Sequence, residues 1–217
     1  MGRSMLLLVL QLLLVTVLVS SQMYRNCCDQ SNEGRPHGHQ GHGHGHPRHW
    51  REGHQNSHAV CHVMPNSQLP KNETSISGNI YFRRQRGNQT GILLDLHGFS
   101  TSQKAHGVHI HEFGDLTRGC ETLGGHYNPH NRRHGSHAGD LGNFRPNATG
   151  DIYQTIAQMH LHLHGPHSII GRSVVIHKNE DDMGHRDSPG STEHGNAGLR
   201  LACCVIGVSS QRSWPQE

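Results

Sequence analysis

The chain has 217 residues, a hydrophobic fraction of 32% and a formal net charge of +3 with its 24 histidines neutral. That length suits one or two domains, and so weak a charge gives no argument for a nucleic-acid partner. The apolar residues are spread unevenly, and the unevenness organises the chain.

Residues 5–19 (MLLLVLQLLLVTVLV) are almost wholly apolar, follow Arg3 and precede the small residues Ser20 and Ser21. This pattern predicts a secretory signal peptide over 1–21. The run is short for a membrane span of about 20 residues, and none like it follows, so the mature chain is expected to be secreted to the extracellular space and not integral to a membrane. Residues 22–58 hold alternating Gly and His (HGHQGHGHGHPRHW) with almost nothing to bury. Such a segment is expected to be a disordered His/Gly-rich tail that can still gather Cu²⁺ or Zn²⁺ through neutral imidazoles. Below about pH 6 its imidazoles become cationic, which predicts an acid-dependent attraction to sulfated polysaccharide.

From residue 59 the pattern turns to short apolar runs separated by Gly, Asn and Pro. Strands are expected at 75–83, 91–97, 107–112, 151–159, 159–164, 173–177 and 201–208, with a hairpin turn at Arg86-Gly87-Asn88. No long 3.6-residue periodicity appears. The class is therefore all-β, a sandwich or barrel. In Met159-His160-Leu161-His162-Leu163-His164 the histidines share one strand face and the leucines the other, which reads as a half-buried strand with a wet imidazole face, the alternative being an adventitious surface metal site.

Six cysteines (Cys27, Cys28, Cys61, Cys120, Cys203, Cys204) in a secreted chain read as disulfides. Three N-x-S/T sequons, at Asn72, Asn88 and Asn147, agree with secretion and mark glycosylation sites.

The densest chemistry lies in 107–140. His109 and His111 are two apart in an apolar setting, so on a strand they face one way, roughly 7 Å apart. Beyond them, H-x7-H-x2-H-x2-D gathers His126, His134, His137 and Asp140 in a Gly-rich loop, a donor set suited to tetrahedral Zn²⁺.

This stretch resembles the Cu,Zn superoxide dismutases, in GVHIHEFGD, GGHYNP and the H-x2-D ending, and two later stretches fit the same family: GPHSIIGRSVVIHKNEDDMG at 165–184 and GNAGLRLACCVIG at 195–207. The resemblance covers roughly 59–208, leaving 209–217 as a short C-terminal tail. It implies a Greek-key β-barrel, related in build to an immunoglobulin-like sandwich, with long loops at 113–142 and 178–200. It implies copper held by His109, His111, His126 and His177, and zinc by His126, His134, His137 and Asp140, one ion of each per subunit. His126 then bridges the two ions and carries a proton in catalysis. Asp181 links a copper histidine to a zinc histidine, and Arg200 attracts superoxide. The resemblance also pairs Cys120 with Cys203 and, as in the extracellular branch, Cys61 with Cys204, leaving Cys27 and Cys28 over. A homo-oligomer, dimer or tetramer, is expected.

Two departures bear on function. The end, VSSQRSWPQE, lacks the run of Lys and Arg with which extracellular members bind heparan sulfate, and Glu193 stands where cytosolic members place a guiding lysine. The function expected is a secreted dismutase converting superoxide to oxygen and hydrogen peroxide in extracellular antioxidant defence. Two competitors are a histidine-rich metal buffer, which explains the tail but not Arg200 or Asp181, and a chaperone-like relative without turnover, which would be expected to lack some of the ligands.

Overall fold

The computed structural model describes residues 57–215 except 71, 72, 74 and 103. The signal peptide, nearly all of the His-rich tail, Cys27, Cys28 and the sequon asparagine Asn72 lie outside the described residues. Among the described residues no helix is long and apolar enough to cross a membrane.

Among the described residues nine strands follow one another: β1 (His58–Pro65), β2 (Ser77–Arg84), β3 (Thr90–His97), β4 (His106–His111), β5 (Asp140–Phe144), β6 (Ile152–Gln158), β7 (Ser173–His177), β8 (Arg200–Val205) and the two-residue β9 (Gly207–Val208). Every pairing is antiparallel, in the order β5-β4-β7-β8-β1-β2-β3-β6, with β9 added to β1. Chain-adjacent β3 and β4 are far apart in that order, as are β6 and β7. The chain thus crosses between the two sides twice, which is the Greek-key connection. The eight-strand path makes a nearly closed barrel, as expected.

Alternation drives the core. In β2, Ile80 and Phe82 point inward and meet Ile92, Leu94 and Leu96 of β3, all fully buried. Across the interior, Val108, Ile110, Val174, Ile176 and Cys204 complete one continuous cluster. Each such side chain contributes roughly 1.5–3 kcal/mol of burial. The expected turn at 86–88 is a 3₁₀ turn in which Gly87 takes φ 72°, a left-handed conformation that glycine adopts without a Cβ penalty.

Three elements differ from expectation. β1 and β5 are strands that the apolar pattern does not single out. Met159–His164 is not a strand: apart from one isolated bridge, from His162 to Ser168, it makes no ladder. Leu161 and Leu163 are nevertheless buried, and Thr90 Oγ1 donates to the Leu161 carbonyl at 2.7 Å, so side-chain anchoring holds the segment in place of sheet pairing.

Two long connections, 112–139 between β4 and β5 and 178–199 between β7 and β8, carry most of the irregular backbone. The second contains helix α1 (Pro189–His194), started by Ser188, whose side chain accepts from the Ser191 amide, and ended by Gly195 at φ 65°.

Candidate metal centre

The ladder itself assembles the site. On the outer face of the sheet, β4 supplies His109 and His111, and β7 supplies His177 opposite Arg200 of β8. His109 stands opposite Asp140 at the start of β5, and His126 forms an isolated bridge with His111. Two buried donor sets result: His109, His111, His126 and His177 in one, and His126, His134, His137 and Asp140 in the other, each with its ligand atoms within 4.8 Å of one another. His126 belongs to both.

Hydrogen bonds fix which nitrogen of each ring faces inward. His111 Nδ1 donates to the Gly124 carbonyl at 3.0 Å and His177 Nδ1 to the Gly198 carbonyl at 3.1 Å. Their Nε2 atoms therefore carry lone pairs, and these face each other 3.4 Å apart. His109 Nε2 and His134 Nε2 each donate to Asp181, at 2.8 Å to Oδ2 and 2.8 Å to Oδ1, leaving both Nδ1 atoms inward.

Several inward atoms are left without a well-formed hydrogen bond. His109 Nδ1, His126 Nε2, His134 Nδ1 and His137 Nδ1 are buried without a hydrogen bond, a cost that a folded chain rarely bears uncompensated. Around Asp140 Oδ1 the nitrogens of His126, His137 and His134 lie at 3.2, 3.3 and 3.6 Å. A tetrahedron with metal–ligand bonds of 2.0–2.1 Å has edges of about 3.3 Å, so this donor set fits a zinc-sized ion. The all-imidazole set fits copper, which imidazole also suits. Asp140 presents only Oδ1 to the centre, because Oδ2 accepts from the amides of Gly135 (2.8 Å) and His137 (3.0 Å).

Electrostatics favour a cation. Burial lowers the pKa of His126 to about 4 and those of His111 and His177 well below the usual imidazole value, so their lone pairs are free at physiological pH. Burial works against the Asp140 and Asp181 carboxylates, yet hydrogen bonds from the neighbouring histidines outweigh it and hold both far below the ordinary carboxyl range.

Behind the ligands the loops are tied together. Asn143 Nδ2 donates to the Asp181 carbonyl at 2.7 Å and Asn143 Oδ1 accepts from the Asp181 amide at 2.8 Å, clamping the residue that joins the two donor sets. A Cβ on Gly195 would overlap Asp181 Oδ1 and crowd His134 Nε2. The sequence gives no signal for the role of Asn143, and Gly195 lies within a recognised motif without its task being legible there. His106 was also missed; its Nδ1 donates to the His177 carbonyl at 2.8 Å.

A cleft of about 360 Å³ reaches the centre, lined by His111, His126, His177, Glu193, His194 and Arg200 among others. Arg200 is braced by donating to the Cys120 and Gly124 carbonyls, both at 2.8 Å. Cys120 is bonded to Cys203, and Cys61 to Cys204. Asn147 is exposed in the β5–β6 loop, its Oδ1 accepting from Thr149 Oγ1 at 2.8 Å, and Asn88 lies in the 3₁₀ turn.

The family model for copper/zinc superoxide dismutase (SODC) matches residues 76–206. The chain is 43% identical over 164 residues to extracellular superoxide dismutase [Cu-Zn] of Rattus norvegicus, covering 74% of this chain and 66% of that one. It is 42% identical over 147 residues to superoxide dismutase [Cu-Zn] of Podospora anserina, covering 64% of this chain and 95% of that one. Among solved structures, the clock protein EA4 superposes with a TM-score of 0.64 at 34% identity, covering 71% of this chain and 96% of that one. The match thus spans just under two thirds of the rat protein. Fold, donor sets and sequence agree: the chain belongs to the copper/zinc superoxide dismutase family.

Proposed function

We propose that this chain is a secreted superoxide dismutase. Its domain is 59–208, preceded by a cleaved leader (1–21) and a His-rich tail (22–58) and followed by a short C-terminal tail (209–217). The observation that carries the reading is His126, one imidazole shared by two buried donor sets at the foot of a cleft that also holds Arg200.

His109, His111, His126 and His177 hold copper; His126, His134, His137 and Asp140 hold zinc. Copper supplies one-electron chemistry when bound, whereas zinc is redox-silent. Arg200 draws superoxide into the cleft by charge and hydrogen-bonds it; the bracing carbonyls consume only part of its five-donor guanidinium. Two superoxide ions and two protons give one oxygen and one hydrogen peroxide. His126 takes one proton at Nε2 in the first half of the cycle and gives it to the departing peroxide in the second; water supplies the other. Asp181 orients His109 and His134 together, so both donor sets answer to one carboxylate.

The leader, the two disulfides and the names of the extracellular relatives support secretion. We further read the chain as a homo-oligomer, dimer or tetramer, glycosylated at Asn72, Asn88 and Asn147, whose tail binds sulfated polysaccharide only at acid pH. The deciding experiment is metal analysis of the purified protein together with a dismutation assay. One copper and one zinc per chain with rapid turnover is expected; stoichiometric metal without turnover would leave a metal-binding relative. Light scattering checks assembly, and heparin retention at pH 5.5 against pH 7.4, with and without residues 22–58, checks the tail.

A further inference from the structure

Outside the two buried donor sets, a second gathering of histidines lies on the surface. Four of them, His160, His162, His164 and His167, come from the connection between β6 and β7, and His130 comes from the β4–β5 loop. The rings of His130 and His167 meet edge to face with centroids 4.9 Å apart. The backbone beneath them is fixed. Ile169 donates to the His162 carbonyl at 2.9 Å, Ser168 to the Gly165 carbonyl at 3.1 Å, and Tyr127 Oη to the His167 carbonyl at 3.0 Å. Below, Leu161, Leu163 and Ile169 are locked in the core. The scaffold is thus rigid while the imidazoles are exposed or half-buried and free to turn about χ1 and χ2.

We propose that His130, His162, His164 and His167, with His160 at the edge, form a third divalent-metal site for an ion of the zinc or copper class. Imidazole is the ligand those ions favour at neutral pH, and a rigid loop that presents several of them reduces the ordering cost of binding. His130 meets His167 ring to ring and shares the lining of one cleft with His160, while burial first, and then the charges of His164, His167, His160 and His130, lower the pKa of His162. Its position adds a consequence. His130 and His160 line the rim of a cleft of about 610 Å³ that also contains His137 and Asp140 of the inner set, so the outer site stands beside the zinc ligands. The inference is independent of turnover.

The test uses the full chain loaded with copper and zinc. Zn²⁺ is titrated in until the tail histidines are protected, and carbethoxylation of each histidine is mapped by mass spectrometry. His130, His162, His164 and His167 should lose reactivity, while exposed His97, which sits against Asp95 and Asp151 at the opposite end of the β3–β6 pair, should keep it. In His162→Gln/His164→Gln, protection of His130 and His167 should be lost with tail protection unchanged. Should that variant not fold, His130→Gln/His167→Gln serves, read at His162 and His164. Cluster histidines that stay reactive throughout the titration, or that remain protected in the variant, would overturn the site.

Discussion

Strands β1 and β2 mix buried with half-buried and exposed residues, β6 is mostly exposed and, among these neighbours, β3 is largely buried, whereas β4 and β7 are buried at every position and β8 nearly so. The first group is an ordinary half-wet sheet. The second is covered on its outer face as well, because the 112–139 and 178–199 connections fold back over it. Inward, Val174, Ile176 and Cys204 join the main core; outward, Val175 and Cys203 pack with Cys120 and Leu123 in a separate small cluster. The ligand histidines share that covered outer face. A site of buried neutral imidazoles needs rigid backbone on one side and removal of water on the other, and this half of the barrel supplies both.

The sharpest way to break the comparison is one substitution in each half. His126→Ala should abolish dismutation and lose both metals, whereas His177→Ala should lose copper and keep most zinc. Leu94→Ala, in β3, should lower stability by about 2–5 kcal/mol and leave activity per folded molecule intact. Metal analysis and denaturant unfolding read these outcomes, and copper loss alone in His126→Ala would sink the sharing of that residue.

The disulfides divide in the same way. Removing either bridge should cost about 2–5 kcal/mol. Only Cys120→Ser/Cys203→Ser should also reduce activity per bound copper, since the Cys120 carbonyl braces Arg200. Cys61→Ser/Cys204→Ser should affect stability alone. Equal activity per copper in both pairs would show that the brace does not matter.

Gly195→Ala places a Cβ against Asp181 at a left-handed φ of 65°. Metal affinity should fall by about 10–100-fold, as when a partner that orients ligands is disturbed, with the Leu94 side of the barrel unaffected. Competition with a chelator measures it. Arg200→Ala should lower the second-order rate by about tenfold at unchanged metal content and flatten its dependence on ionic strength. Stopped-flow rates across a salt series decide that, and Glu193→Lys should shift them modestly the other way.

Sequence reasoning reached the barrel class, and His-x-His on a strand and H-x7-H-x2-H-x2-D carry part of the two donor sets in their spacing, whereas His177 and the sharing of His126 came only with the family resemblance. It did not reach β1, whose His58, His62 and Pro65 look like a continuation of the tail, or β5, where Gly142 at φ 102° and a bulge interrupt a five-residue run. The same reasoning overread Met159–His164, since alternation of His and Leu records which face is buried and not whether a neighbouring strand is present to pair. Asn143 and Gly195 act through backbone hydrogen bonds and through the absence of a side chain, neither of which leaves a pattern in a single sequence.

Adjacent Cys203 and Cys204 point to opposite faces of β8, so one strand is fastened outward to the loop at Cys120 and inward to β1 at Cys61, across 83 and 143 residues of chain. Both fastenings wait for the same late dipeptide. During synthesis neither native bond can close until residue 203 has emerged, and a chain truncated before that point leaves Cys61 and Cys120 without their native partners in a compartment that oxidises thiols. The covalent state of β8 therefore reports whether translation reached the end of the barrel, and secretory quality control that senses free thiols would distinguish finished chains from unfinished ones before any metal is delivered.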